Sequence, residues 1–109
     1  VRILFICTQN KLRSPTAEVL FSIYKGLEVS SAGTAPKAET PVSAELVEWA
    51  DTIFVMENHH REKLRRHYGS LLASKRLVVL RIPDEYTFMQ PELVTLLKTK
   101  VLPHLPRFD

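Results

Sequence analysis

The sequence predicts an α/β fold built on a parallel sheet, and three observations carry that prediction. Short apolar runs alternate with longer amphipathic stretches along the whole of the 109 residues. The runs are rich in Val, Ile and Phe and have few polar interruptions, as strands covered on both faces do. Glycines and prolines fall near the ends of these segments rather than in their middles. A β-α-β-α-β-α-β-α pattern requires right-handed crossovers, which put helices on both sides of the sheet. The expectation is a three-layer αβα single domain over residues 1–109 with a four-stranded parallel sheet.

The first strand is read at Val1-Arg2-Ile3-Leu4-Phe5-Ile6. Pro15 is preset for a first helical turn and disfavours helical backbone at Ser14, which makes Ser14 the expected N-cap. Ala17, Leu20, Phe21 and Tyr24 then share one helix face, and Gly26 is the expected stop. A second strand is read at Leu27-Glu28-Val29-Ser30-Ser31, ended by Ala32-Gly33, with a loop from Thr34 to Thr40. Pro41 is expected to open a helix whose stripe is Val42, Leu46 and Trp49, and Trp49 is read as a core residue. Thr52-Ile53-Phe54-Val55-Met56 is the third strand. A basic helix from Asn58 to Tyr68 follows, with Gly69 as its stop. The fourth strand is read at Leu77-Val78-Val79-Leu80-Arg81-Ile82, closed by Pro83. Pro91 opens a last helix striped by Leu93, Leu96, Leu97 and Val101.

Composition narrows the function. The chain is 45% hydrophobic and 25% charged with a net charge of +3, ordinary for a soluble globular domain. No run approaches the roughly 20 apolar residues that span a bilayer, so no membrane association is expected. No signal-peptide pattern precedes the first strand. The one cysteine rules out an internal disulfide and a multi-cysteine metal site, and fits a reducing, cytoplasmic compartment. The basic run His59-His60-Arg61-Glu62-Lys63-Leu64-Arg65-Arg66-His67 is read as a solvated helix face, so no nucleic-acid partner is expected. The same reading takes its histidines as surface residues and not as metal ligands.

The stretch Cys7-Thr8-Gln9-Asn10-Lys11-Leu12-Arg13-Ser14-Pro15 links the first strand to the first helix. A strand, a short polar loop and a helix N-terminus bring backbone N–H groups together where an anion can bind. Cys7 would sit at the mouth of that loop. The thiolate is the nucleophilic form of cysteine, and a helix N-terminus and an arginine both favour it. Arg13 can hold two oxygens of a phosphate at once, and the Ser14 hydroxyl can stabilise the thiolate. Asn10 suits a position of positive φ. This combination fits in-line displacement at phosphorus. Such chemistry needs a proton donor at the same sheet edge, where Asp84 and Glu85 follow the fourth strand and Glu57 the third. Glu57 is explained as an acid complementing a helix dipole.

The segment Cys7, Asn10, Arg13, Ser14, Pro15, Thr16, Ala17, Glu18, directly after a first strand, resembles the low-molecular-weight protein tyrosine phosphatases. Ser30-Ser31-Ala32-Gly33-Thr34 and Ala50-Asp51-Thr52-Ile53-Phe54-Val55-Met56 are similar to later segments of the same family. The resemblance implies strand order 2-1-3-4 and a phosphoric monoester hydrolase that needs no metal or other cofactor. It implies Cys7 as nucleophile, Arg13 and the loop residues Thr8 to Ser14 as the phosphate-binding group, and Asp84 as general acid. Asp84-Glu85-Tyr86 stands where the family has Asp-Pro-Tyr, so Glu85 remains a rival acid. Tyr86 would flank an aromatic substrate or simply pack on the last helix. The implied partners are a phosphotyrosine protein or small aryl phosphate, with inorganic phosphate as product and inhibitor.

The chain departs from the family pattern as a short member, cut down after Thr34, with Leu12 at the frequent second loop cysteine and Gln9 at the usual glycine. The alternatives are a phosphocysteine carrier and a phosphate- or phosphopeptide-binding module without turnover. An arsenate reductase on this scaffold would need further cysteines for a thiol relay.

Overall fold

The computed structural model describes residues 1–106. Its elements run β1 (Arg2–Cys7), α1 (Arg13–Phe21), β2 (Glu28–Gly33), α2 (Ala44–Trp49), β3 (Thr52–Val55), α3 (Asn58–Leu72), β4 (Arg76–Val79) and α4 (Pro91–Val101), then a 3-10 turn at Leu102–His104. All strand pairs are parallel, and the sheet order is β2-β1-β3-β4. The architecture and strand order are those expected.

Side-chain alternation on β1 divides the interior into two layers. Ile3, Phe5 and Cys7 face α1 and α4, where Phe5 stacks between Phe21 and Phe54 at centroid distances of 5.6 and 5.4 Å. Leu4 and Ile6 face the other way and pack with Val47, Ile53, Val55 and Leu64. The order reverses around β1, so the crossover to β2 and the crossover to β3 leave by opposite directions. The carboxyl end of β1 therefore lies in a natural crevice.

Several boundaries differ from expectation, each for a local reason. Helix α1 begins at Arg13 with Leu12 as N-cap and no side-chain cap, because the Ser14 hydroxyl is engaged with Cys7 and Asn10. The helix stops at Phe21, and Gly26 adopts φ 85° in the turn that follows. Strand β2 continues through Ala32 and Gly33 because both pair with β1. Pro41 opens no helix; it forms a bridge with Gly33, and Ser43 caps α2 by accepting the Leu46 N–H. Val47 is the fully buried residue of α2, while Trp49 is half-buried against the same layer with Arg2 over its ring. Gly69 does not end α3. The backbone leaves helical angles at Tyr68 (φ −134°, ψ 26°), where the expected helix breaks, and a second helical segment continues through Gly69 to Leu72. Ladder pairing beyond β4 persists through Leu80 and Ile82, with Arg81 between them at φ 58°. Helix α4 starts at Pro91 and buries Leu93, Leu97 and Val101, as its spacing requires.

Candidate active site

Cys7 ends β1 and is 3% exposed. Its Sγ lies 2.9 Å from Ser14 Oγ. Asn10, at φ 56°, donates one Nδ2 hydrogen to Ser14 Oγ (2.8 Å) and the other to Ser31 Oγ (2.9 Å). Ser31 in turn donates to the Glu18 carboxylate. These directions follow from the inventory of donors. Ser31 has given its hydrogen to a carboxylate and so accepts from Asn10; Ser14 accepts from Asn10 and so has its own hydrogen for the sulfur. Its other acceptor, Ala32 O, is farther away at 3.4 Å. The sulfur therefore sits at the end of a hydrogen-bond chain anchored on Glu18.

The loop after Cys7 is tied to the segment after β2. The carbonyls of Cys7, Thr8 and Gln9 accept from the N–H groups of Thr34, Ala35 and Glu39 at 2.9, 3.0 and 3.0 Å. Among the described residues all peptides are trans. A trans peptide points its C=O and the next N–H in opposite directions, so the N–H groups of Thr8, Gln9 and Asn10 turn away from that segment. Gly33 makes this approach possible. A Cβ there would lie 2.4 Å from Thr8 O and 2.6 Å from Ala38 Cβ.

Arg13 leaves the first turn of α1 and its side chain is only 2% exposed. Nη1 donates to Glu57 Oε1 (2.6 Å) and to the carbonyl of Ile82 (2.7 Å). Those two contacts fix the plane of the guanidinium. They leave its Nε–Nη2 edge, the edge suited to bidentate oxyanion binding. Asp84 Oδ1 stands 3.6 Å from Nε, too far for a hydrogen bond. Cys7, Thr8, Gln9, Lys11, Leu12, Arg13 and Asp84 line one cavity of about 150 Å³. Asn10 and Ser14 are buried behind the loop and hold it from beneath.

Glu85 is exposed, is not part of that lining, and its N–H turns back to Pro83 O. Tyr86 is half-buried against the α1/α4 layer and does not line the cavity either. The far end of this loop is pinned where Met89 N–H donates to Thr16 Oγ1 at 3.0 Å.

Two further residues join the site that sequence reasoning placed elsewhere. Glu57 is the N-cap of α3 and orients Arg13. Burial pushes its carboxyl pKa up, but the Arg13 hydrogen bond and charge, helped by His59, outweigh this and hold it below the ordinary 4.5. His60 is fully buried, not on a helix surface. Its Nδ1 accepts the Glu57 N–H at 3.0 Å and its Nε2 lies 2.8 Å from Thr8 Oγ1. Burial, with the neighbouring charges of His59 and Arg13, pushes its pKa down to about 3. Glu57-x-x-His60 directly after a strand is a capping-box spacing, and that was the available signal.

Glu57, His59 and His60 bring one ligand atom each within 4.8 Å of one another. Both His60 nitrogens are already bonded to protein and Glu57 is paired with Arg13, so this cluster is not a free ligand set. A larger cavity of about 210 Å³, lined by Thr34, Pro41, Lys63, His67 and Tyr68 among others, lies between the loop after β2 and α3. Its lining includes no nucleophilic thiol.

Residues 2–46 match the family model described as low molecular weight phosphotyrosine protein phosphatase. The match covers the first strand, the Cys7–Ser14 loop, the first helix and the second strand, and extends into the second helix. Among solved structures it is similar to the tyrosine phosphatase Wzb of Escherichia coli K30 in complex with phosphate, at TM-score 0.76 and 23% identity over 94% of each chain. Wzb of Vibrio vulnificus in complex with benzylphosphonate gives TM-score 0.75 and 23% identity over 94% of this chain and 95% of that one. The YwlE arginine phosphatase of Geobacillus stearothermophilus gives 0.66 and 21% over 98% and 99%. No curated protein matches the chain in sequence. Among the described residues no helix is long and apolar enough to cross a membrane.

Proposed function

We propose that this single domain is a cysteine-dependent phosphomonoesterase of protein tyrosine phosphatase type, working through a cysteinyl-phosphate intermediate. One observation carries the reading: the Cys7 thiol, the Arg13 guanidinium and the Asp84 carboxylate line the same small cavity at the carboxyl edge of the sheet. In the first step Cys7 Sγ, reacting as the thiolate with the Ser14 hydroxyl donating to it, attacks phosphorus. The S–P bond forms, the P–O bond to the leaving group breaks, and Asp84 gives that oxygen its proton. In the second step water attacks phosphorus, Asp84 takes the proton, and the S–P bond breaks to release inorganic phosphate. The Nε–Nη2 edge of Arg13 and the N–H groups of the loop from Thr8 to Ser14 hold the phosphoryl oxygens as charge develops on them. The Ser14 hydroxyl stabilises the sulfur as it leaves. Arg13 and the backbone supply the positive field, so the proposal calls for no metal or organic cofactor.

Asp84 rather than Glu85 is assigned the acid because only Asp84 lines the cavity with Cys7. The substrate is taken as a phosphotyrosine protein or a small aryl phosphate. Solved arginine phosphatases share the fold, so phosphoarginine is the substrate class against which the aryl reading is tested. A cytoplasmic location is proposed from the lone thiol.

The test is hydrolysis of p-nitrophenyl phosphate between pH 5 and 8 with and without chelator, beside the Cys7→Ser protein. Turnover is expected in the first and its complete loss in the second. Peptides carrying phosphotyrosine or phosphoarginine, run in parallel, assign the substrate class. Stoichiometric phosphorylation of Cys7 without turnover would identify a carrier instead.

A further inference from the structure

A nucleophile, an oxyanion clamp and an acid leave the contact between Thr8 and His60 unexplained. Thr8 follows Ile6 by two positions, so alternation turns its side chain toward the α2/α3 layer, where α3 begins. His60 meets it there from the third position of that helix, fully buried, with Nε2 2.8 Å from Thr8 Oγ1. The tautomer is settled by the other ring nitrogen. Nδ1 accepts the backbone N–H of Glu57 at 3.0 Å and so carries no proton. The neutral ring therefore keeps its hydrogen on Nε2 and donates it to Thr8.

The consequence falls on Thr8. With its oxygen accepting from His60, its single hydrogen must be given elsewhere. Thr8 lines the cavity together with Cys7, Arg13 and Asp84. The charged groups near His60 are His59 and Glu57 beside it, Lys63 one turn along α3, and Arg13 from α1. With the ring's pKa near 3, none of them brings a second proton onto it near neutral pH. Packing alone would be served by an apolar residue, and capping alone by glutamine, the usual partner in a capping box.

We propose that His60 is a positioning residue that orients the Thr8 hydroxyl as a hydrogen-bond donor to a phosphoryl oxygen in the cavity. This rests on the phosphatase reading and extends it: helix α3 serves the site twice, through Glu57 on Arg13 and through His60 on Thr8.

Thr8→Val removes the hydroxyl at nearly constant volume, and His60→Leu removes the ring donor. Each is expected to lower kcat/KM for p-nitrophenyl phosphate by roughly 10- to 100-fold, the range for one hydrogen bond to a charged group. The double variant should lose no more than the worse single one, because His60 acts only through Thr8. Thr8→Ser, and His60→Gln, which keeps both a cap acceptor and a donor, should recover most of the activity. The affinity for inorganic phosphate, measured by calorimetry, should weaken in step.

Unchanged turnover and phosphate affinity in Thr8→Val would overturn the proposal. So would losses in the double variant that multiply. If His60→Leu does not fold, the pair Thr8→Val and Thr8→Ser decides the matter. If the wild-type protein binds phosphate but hydrolyses nothing, the phosphatase reading fails, and phosphate affinity across the same pair still tests the donor.

Discussion

Cys7 and Asp84 line one cavity, yet the chain holds them in opposite ways. Cys7 is 3% exposed, ends the central strand, and is backed by Ser14, Asn10, Ser31 and Glu18 in one hydrogen-bond chain. Asp84 is 62% exposed, sits on the loop after Ile82, and among the described residues its one ion-pair approach is to Arg13, at 3.6 Å. The neighbouring loop on the Cys7 side is fixed by three backbone bonds from Thr34, Ala35 and Glu39. The loop bearing Asp84 is pinned firmly only further along, at Met89. The contrast has a chemical logic. Groups that meet the phosphoryl oxygens gain from being fixed beforehand. A proton donor must serve a leaving group in one step and a water in the next, so it tolerates a freer mount.

The largest effect that tests this contrast is expected at Asp84. Asp84→Asn should lower kcat by about 10²–10⁴, the usual weight of a general acid, and leave phosphate affinity intact. Glu85→Gln should change little. Full activity in Asp84→Asn with loss in Glu85→Gln would transfer the role to Glu85 and remove the basis of the comparison.

A smaller effect belongs to the fixed side. Glu57→Gln keeps an acceptor for Arg13 but gives up the charge. A loss of roughly 10-fold in kcat/KM, with phosphate affinity falling in parallel, is expected from the weaker charge-assisted bond. A loss in kcat alone would mean that Glu57 acts on proton transfer and not on the clamp.

The smallest effect is on stability against pH. His60 is neutral in the folded chain with a pKa near 3, whereas the unfolded histidine takes a proton near 6.5. Between those values the unfolded state binds the extra proton, so stability declines as pH falls through the window. Glu57 adds to this at the acid end. Its depressed carboxyl stabilises the fold above the ordinary 4.5, and that contribution is lost as pH falls through its lower folded value. Thermal melting followed from pH 7 to pH 4 should drop, and drop less in His60→Gln. Parallel curves for the two proteins would refute the assignment of His60.

The loop from Cys7 to Ser14 was legible in the sequence because its parts lie within a few residues of one another. Spacing alone also located Asn10 at its positive φ and Pro91 at the start of α4. Glu57 and His60 were not legible as site residues. Each has a satisfactory local explanation, a helix dipole or a polar helix face, and only the adjacency of β3 to β1 brings them to Arg13 and Thr8. Ser14 carried two expectations, a helix cap and a bond to the Cys7 sulfur, and only the second is met. The hydroxyl serves the sulfur and Asn10, so it is not free to cap the helix. Pro41 and Gly69 likewise carried local signals for a helix start and a helix stop. A bridge to Gly33 overrode the first, while the second fell one residue early as a break at Tyr68 after which the helix resumes.

The position of β1 in the middle of the sheet bears on how the protein becomes active during folding. The strand that ends in Cys7 precedes both its neighbours, which begin only at Glu28 and Thr52. Arg13 is then oriented by Glu57 and by the carbonyl of Ile82, still further along. The strand pairings that frame the site and the two contacts that orient Arg13 are therefore long in sequence and close late, whereas the Cys7–Ser14 and Asn10–Ser14 bonds are local. On the proposed reading catalytic competence is a property of the completed sheet, so turnover recovered after dilution from denaturant would report the whole fold rather than its first motif.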